Sequence, residues 1–157
     1  MMRSVLLFGV LVAGCIGPHA FAEMEGRDGH EVYGTLKIDE TGDGVHIHGN
    51  IRGLPPGEHG LHIFADKCGR EHQNPHGKRH GGLRDAESHA GDLGNIVVDA
   101  DGEVDIDITT GKIEYKHGDG ALDHWIGVSF FRDDLTTDPD GNSGSAIACG
   151  RIEVPSE

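Results

Sequence analysis

The stretch HGLHIFADKCG, residues 59–69, decides how this chain is read. Strand alternation places His62 and Phe64 on one face and Leu61 and Ile63 on the other. A nitrogen donor and a large apolar ring therefore share a face. The strand then runs into Cys68 and a loop rich in histidine and glycine.

Outward from this strand the chain repeats one pattern. Short apolar runs at 32–38, 45–51, 60–64, 95–99, 103–108, 126–131 and 147–154 read as strands. The turns ETGDG (40–44), LPPGEHG (54–60) and DADG (99–102) place glycine where a reversal needs it. With 157 residues, 26 glycines and no long 3.6-residue period, the composition fits one all-β domain, a sandwich or barrel. The segment 65–94 has no strand period, and a structureless loop of that length in a compact domain is usually functional.

That loop carries His72, His80, His89 and Asp92 within 21 residues. Three imidazoles and a carboxylate suit a tetrahedral zinc ion. Two other patterns read as ordinary surface. HIH at 46–48 alternates with Val45 and Ile47, which describes two outward-facing residues, with weak surface metal capture as the other reading. DPDGNSG at 138–144 lacks the glycine position and closing glutamate of an EF-hand and reads as a polar turn. No Ser/His/Asp or Cys/His motif has a hydrolase context, and the glycines follow no phosphate-loop spacing.

Lys and Arg number 13 against 27 Asp and Glu, a formal net charge of −14. Such a surface repels nucleic acid and anionic membrane and favours divalent cations as partners. The first 22 residues read as a signal peptide: MMRS is a basic start, VLLFGVLVAGCI an apolar core, and GPHAFA a breaker with an Ala-x-Ala site. Cleavage after Ala22 leaves a secreted domain of residues 23–157. The alternative is VAGC, residues 12–15, which resembles a bacterial lipoprotein box with Cys15 as the lipidated residue. After export Cys68 and Cys149 remain, either as one disulfide or as two buried thiols. A bridge closing a loop of about 80 residues would contribute roughly 4 kcal/mol on chain-entropy grounds.

The runs GLPPGEHGLHIF, HQNPHGKRHGG, HAGDLGN, DDL and ACGRI, in this order, resemble the copper/zinc superoxide dismutase family across nearly the whole mature chain. The resemblance implies a Greek-key β-barrel with a long zinc loop, an electrostatic loop that is shortened here, and a Cys68–Cys149 disulfide. It implies zinc held by His72, His80, His89 and Asp92, with Asp133 linking a zinc histidine to a copper histidine. The copper set is incomplete. His62 and His72 match two of its positions, while Phe64 and Ser129 stand at the other two. Ala146 replaces the family's anion-guiding arginine, and the loop 132–146 carries Asp133, Asp134, Asp138 and Asp140, with Arg132 as a partial offset.

Two imidazoles and a phenyl ring do not meet the donor preference of copper. The expected function is a secreted, zinc-holding protein with absent or impaired dismutase activity that acts in metal binding, storage or assembly. In its lost ligands and its His- and Asp-rich composition it is similar to dismutase-derived extracellular proteins of invertebrate body fluid such as cavortin, dominin and pernin. The competing readings are an active dismutase using His62, His72 and a displaced histidine such as His76, and a structural barrel whose zinc only fastens the loop. Cleavage after Ala22 would also leave the first family strand short or absent, exposing an edge to a second copy of the chain.

Overall fold

A computed structural model describes residues 19–156. The elements are β1 (His19–Gly26), β2 (Tyr33–Glu40), β3 (Val45–Arg52), β4 (Gly57–Phe64), β5 (Asp92–Val98), β6 (Glu103–Thr110), β7 (Trp125–Ser129) and β8 (Ala146–Arg151). All pairings are antiparallel, in the order β5-β4-β7-β8-β1-β2-β3-β6. The strands at the two ends of that order, β5 and β6, are joined by the turn 99–102, which brings the edges together into a nearly closed barrel. The pairings of β3 with β6 and of β4 with β7 make the connections Greek-key, as expected.

Period-2 patterning builds the wall. Leu36 and Ile38 on β2, Val45, Ile47 and Ile51 on β3, and Val104 and Ile106 on β6 point into one core with Leu61, Ile63, Ile126 and Val128. On β3 the polar residues between them face outward, and His46 and His48 are among these half-exposed positions. Among the described residues there is no helix long and apolar enough to cross a membrane.

β1 spans eight residues and pairs with β2 from His19↔Asp39 to Glu25↔Tyr33, and the expected cleavage point after Ala22 falls inside it, so a chain cleaved there would keep only the second half of this strand. Ala20, Ala22 and Met24 are the inward residues and are almost wholly buried. The two small side chains that resemble a peptidase site are also what a tightly packed inward face requires, and sequence alone does not separate the two readings. Residues 1–18, including VAGC and most of the expected leader, lie outside the described residues.

Strand ends also shift. β7 stops at Ser129 with a register shift after Val128, and Phe130 and Phe131 leave the wall and become exposed. β5 begins at Asp92, three residues before the start expected from the sequence. A predicted loop residue is therefore a strand residue.

Candidate metal centre

The loop between β4 and β5 is fixed to the barrel at both ends. Cys68 and Cys149 are joined by a disulfide, with Cα atoms 6.1 Å apart. Arg27 donates through Nη1 to the carbonyls of Lys67 (3.0 Å) and Cys68 (2.7 Å). Further along, Gln73 N–H donates to Ile63 O at 2.8 Å and Ile63 N–H to Gly91 O at 2.9 Å, so the loop lies against β4.

This anchoring converges His72, His80, His89 and Asp92, all buried, with donor atoms within 4.8 Å of one another. Asp92 is rigid because it opens β5. Its Oδ1 lies 2.8 Å from His72 Nδ1, 3.1 Å from His80 Nδ1 and 3.3 Å from His89 Nδ1. Its Oδ2 accepts from the backbone N–H of Gly81 (2.9 Å) and of His89 (3.1 Å). Three ring nitrogens thus crowd one oxygen that has two lone pairs to offer. His89 Nδ1 accordingly completes no hydrogen bond there. A buried, unsatisfied polar atom is costly, and a shared cation would engage all four donors at once. The donor set fits zinc.

The charges tell the same story. Burial alone would raise the Asp92 carboxyl, but hydrogen bonds from His72 and His80, with the His89 ring close by, hold it well below the usual range. Burial alone would lower His80, yet Asp133 and Asp92 on its two sides push it up to about 9. A site that attracts a proton this strongly attracts a metal cation for the same reason.

Asp133 bridges two buried histidines. Oδ1 accepts from His80 Nε2 at 2.8 Å and Oδ2 from His62 Nε2 at 2.9 Å, joining the zinc-type cluster to the β4 histidine. Its backbone is locked to Asn95, which accepts from Asp133 N–H at 2.7 Å and donates to Asp133 O at 2.9 Å. Gly141 lies over this carboxylate at φ 61°, and a Cβ there would meet Asp133 Oδ1 at 1.9 Å. Only glycine lets the loop close so tightly.

Beyond His62 the site changes character. Burial lowers the His62 ring to about 4 despite Asp133, so it is neutral and able to offer a lone pair. His62 and His72 are stacked with centroids 3.8 Å apart. His72 Nε2 is buried without a partner, and His62 Nδ1 has only Ser129 Oγ at 3.4 Å. Phe64 stands edge-on to both, at 5.9 Å from His62 and 5.3 Å from His72. It packs with Cys68, Ala146 and Cys149, and Trp125 lies against the group. Gly127 leaves it room, since a Cβ there would sit 3.1 Å from Phe64 Cε2 and 2.9 Å from Cys68 Sγ. Phe64 and Ala146 belong to one apolar cluster built on the disulfide.

Other sequence candidates fall elsewhere. His76 is exposed and belongs to none of the potential metal groups among the described residues. Arg132 is paired with Glu58 (Nε to Oε2, 3.1 Å). The segment 138–144, expected to be a plain polar turn, is a latch on the centre. Asp138 Oδ1 accepts from His80 N–H at 2.6 Å and lies 3.6 Å from His89 Nε2, while buried Asp140 holds Arg70 at 2.6 Å. No spacing rule pointed to this, because the partners are roughly fifty to seventy residues away.

Comparison with known proteins agrees with this geometry. Residues 32–152 match the family described as Copper/zinc superoxide dismutase (SODC). The chain is 36% identical over 137 residues to "Superoxide dismutase [Cu-Zn] 2" of Mesembryanthemum crystallinum, covering 78% of this chain and 88% of that protein. It is 37% identical over 147 residues to "Superoxide dismutase [Cu-Zn] 2" of Aquifex aeolicus (strain VF5), covering 85% of each. Among solved structures it resembles the one titled "Crystal Structure Analysis of the clock protein EA4", with a TM-score of 0.76, 28% identity and coverage of 99% of this chain and 100% of that one.

Proposed function

Because the chain belongs to the copper/zinc superoxide dismutase family, we propose that it is a secreted zinc-holding member that has given up copper cycling and serves in metal binding or storage. Zinc is held by His72, His80, His89 and Asp92, and when bound it supplies the divalent charge that fastens the loop 65–91 to β5. Asp133 positions His80 and His62. His62 is a residual copper-side nitrogen.

The observation that carries this reading is the Phe64 ring, seated on the disulfide with Ala146 and edge-on to both copper-side histidines. Copper(II) favours a tetragonal set of nitrogen and oxygen donors, and of the four matched copper positions only His62 and His72 are imidazoles here. The anion route has lost its arginine at 146, and Arg132 is already engaged with Glu58. An active dismutase with an unorthodox copper set is the second reading. It is favoured by one observation, the unpartnered Nε2 of His72 beside His62.

Export is part of the proposal. Burial of Ala20 and Ala22 on the inward face of β1 supports removal of the leader ahead of His19 over removal after Ala22. Metal analysis of the purified protein after exposure to both zinc and copper tests the reading. About one tightly held zinc per chain with no copper retained in the barrel supports it, and stoichiometric barrel copper overturns it.

A further inference from the structure

We propose that the outer face of the β2–β3–β6 wall carries a second, exposed site for a divalent transition metal, formed by Asp39, His46 and His48 and selective for copper(II). This site lies on a different part of the barrel wall from the buried centre, which is built on the β4–β5 loop, and it does not depend on how that centre is filled.

The placement follows from strand register. His46 and His48 are two residues apart on β3 and share its outer face, with Val45 and Ile47 turned into the core. On one side β2 sets Asp39 directly opposite His46, and on the other β6 sets Asp107 directly opposite His48. Each histidine bonds the diagonal carboxylate: His48 Nε2 lies 2.9 Å from Asp39 Oδ2, and His46 Nε2 lies 2.7 Å from Asp107 Oδ1. The two rings are stacked at 4.6 Å with 13° between their planes. One donor atom each from Asp39, His46 and His48 falls within 4.8 Å of the others.

Metal–nitrogen bonds of about 2 Å require these donors to draw closer. The imidazoles are free enough to do so, with side chains 32% and 37% exposed. The competing cation is Lys37, whose Nζ holds the other Asp39 oxygen at 3.1 Å, which leaves Oδ2 for the ion. Two imidazoles and a carboxylate are a nitrogen and oxygen set of the type copper(II) takes in tetragonal geometry, and copper(II) stands above zinc in divalent affinity order. Calcium and magnesium would find too few oxygens.

The test uses the full-length protein with its buried centre saturated with zinc, titrated with copper(II) alone. Copper should broaden the ring resonances of His46 and His48 before those of any other histidine, with the zinc content unchanged. His46→Gln combined with His48→Gln should remove that copper equivalent while leaving zinc content and melting temperature as they were. Because both side chains face solvent, folding is expected to survive, and the single variant His48→Gln gives the same readout in milder form. First broadening at other histidines, retention of the equivalent in the double variant, or copper uptake matched by zinc release would each overturn the site.

Discussion

Phe64 and His72 are partners twice over. Their backbones form an isolated antiparallel bridge, and their rings meet edge-on at 5.3 Å. Phe64 is thus locked by main chain and by packing to His72, which also belongs to the donor group with His80, His89 and Asp92. Phe64 packs in an apolar cluster with Cys68, Ala146 and Cys149, while His72 gathers with His80, His89 and Asp92.

His80→Ala should remove zinc. His80 sits between Asp92 and Asp133, so its loss leaves two buried carboxylates without their shared partner. Zinc per chain, measured after dialysis at neutral pH, should fall from about one to well below half, with a lower melting temperature. Unchanged zinc content would contradict the ligand assignment.

Cys149→Ser should destabilise the fold by roughly 3–5 kcal/mol, the range for losing a bridge across a long loop. The loop 65–91 should also exchange its amides faster, because Cys68 stands four residues before His72. Denaturant unfolding and hydrogen exchange of the zinc-loaded protein check both. Full alkylation of two cysteines in the native, unreduced protein would contradict the bridge.

Metal-free protein should be most stable near pH 6.5 and weaken on both sides. On the acid side, His62 has its folded value lowered to about 4, so its contribution is complete above 6.5 and is lost as pH falls toward 4. Asp92 and Asp133, both held below the usual carboxylate range, extend that loss at lower pH. On the alkaline side, His80 has its folded value raised to about 9, so its contribution is complete below 6.5 and disappears as pH rises through 9. Zinc stands in for the His80 proton and should flatten the alkaline limb. Urea midpoints of the chelator-treated and zinc-loaded protein across this range provide the check.

A chain starting at Glu23 should be markedly less stable than one starting ahead of His19. It would lose the pairs His19↔Asp39 to Ala22↔Leu36 and the buried methyls of Ala20 and Ala22. Mass spectrometry of the exported protein should find His19 retained. Recovery of a stable, folded product beginning at Glu23 would contradict the role given to the first half of β1.

The barrel was legible because period-2 patterning marks seven of its eight strands, and the donor cluster was legible because His72, His80, His89 and Asp92 fall within 21 residues of sequence. β1 was not, since Ala20 and Ala22 satisfy a leader peptidase motif and an inward strand face equally. The latch was not legible either, because Asp138 reaches His80 N–H across 58 residues and only folding brings them together. Phe64 was visible as an anomaly in sequence, but its joining with Ala146 and the disulfide into one cluster is a three-dimensional fact.

The most direct test of the central claim is superoxide turnover by the zinc- and copper-exposed protein after loosely bound ions are stripped, with Phe64→His measured beside it. The natural protein should show no turnover above the level of free copper. The variant should retain more copper through His62, His72 and the new imidazole and reach at most partial activity, because Ser129 and Ala146 remain. Turnover by the natural protein near the diffusion-limited ceiling of roughly 10⁹ M⁻¹s⁻¹ would contradict the account and make the chain a working dismutase.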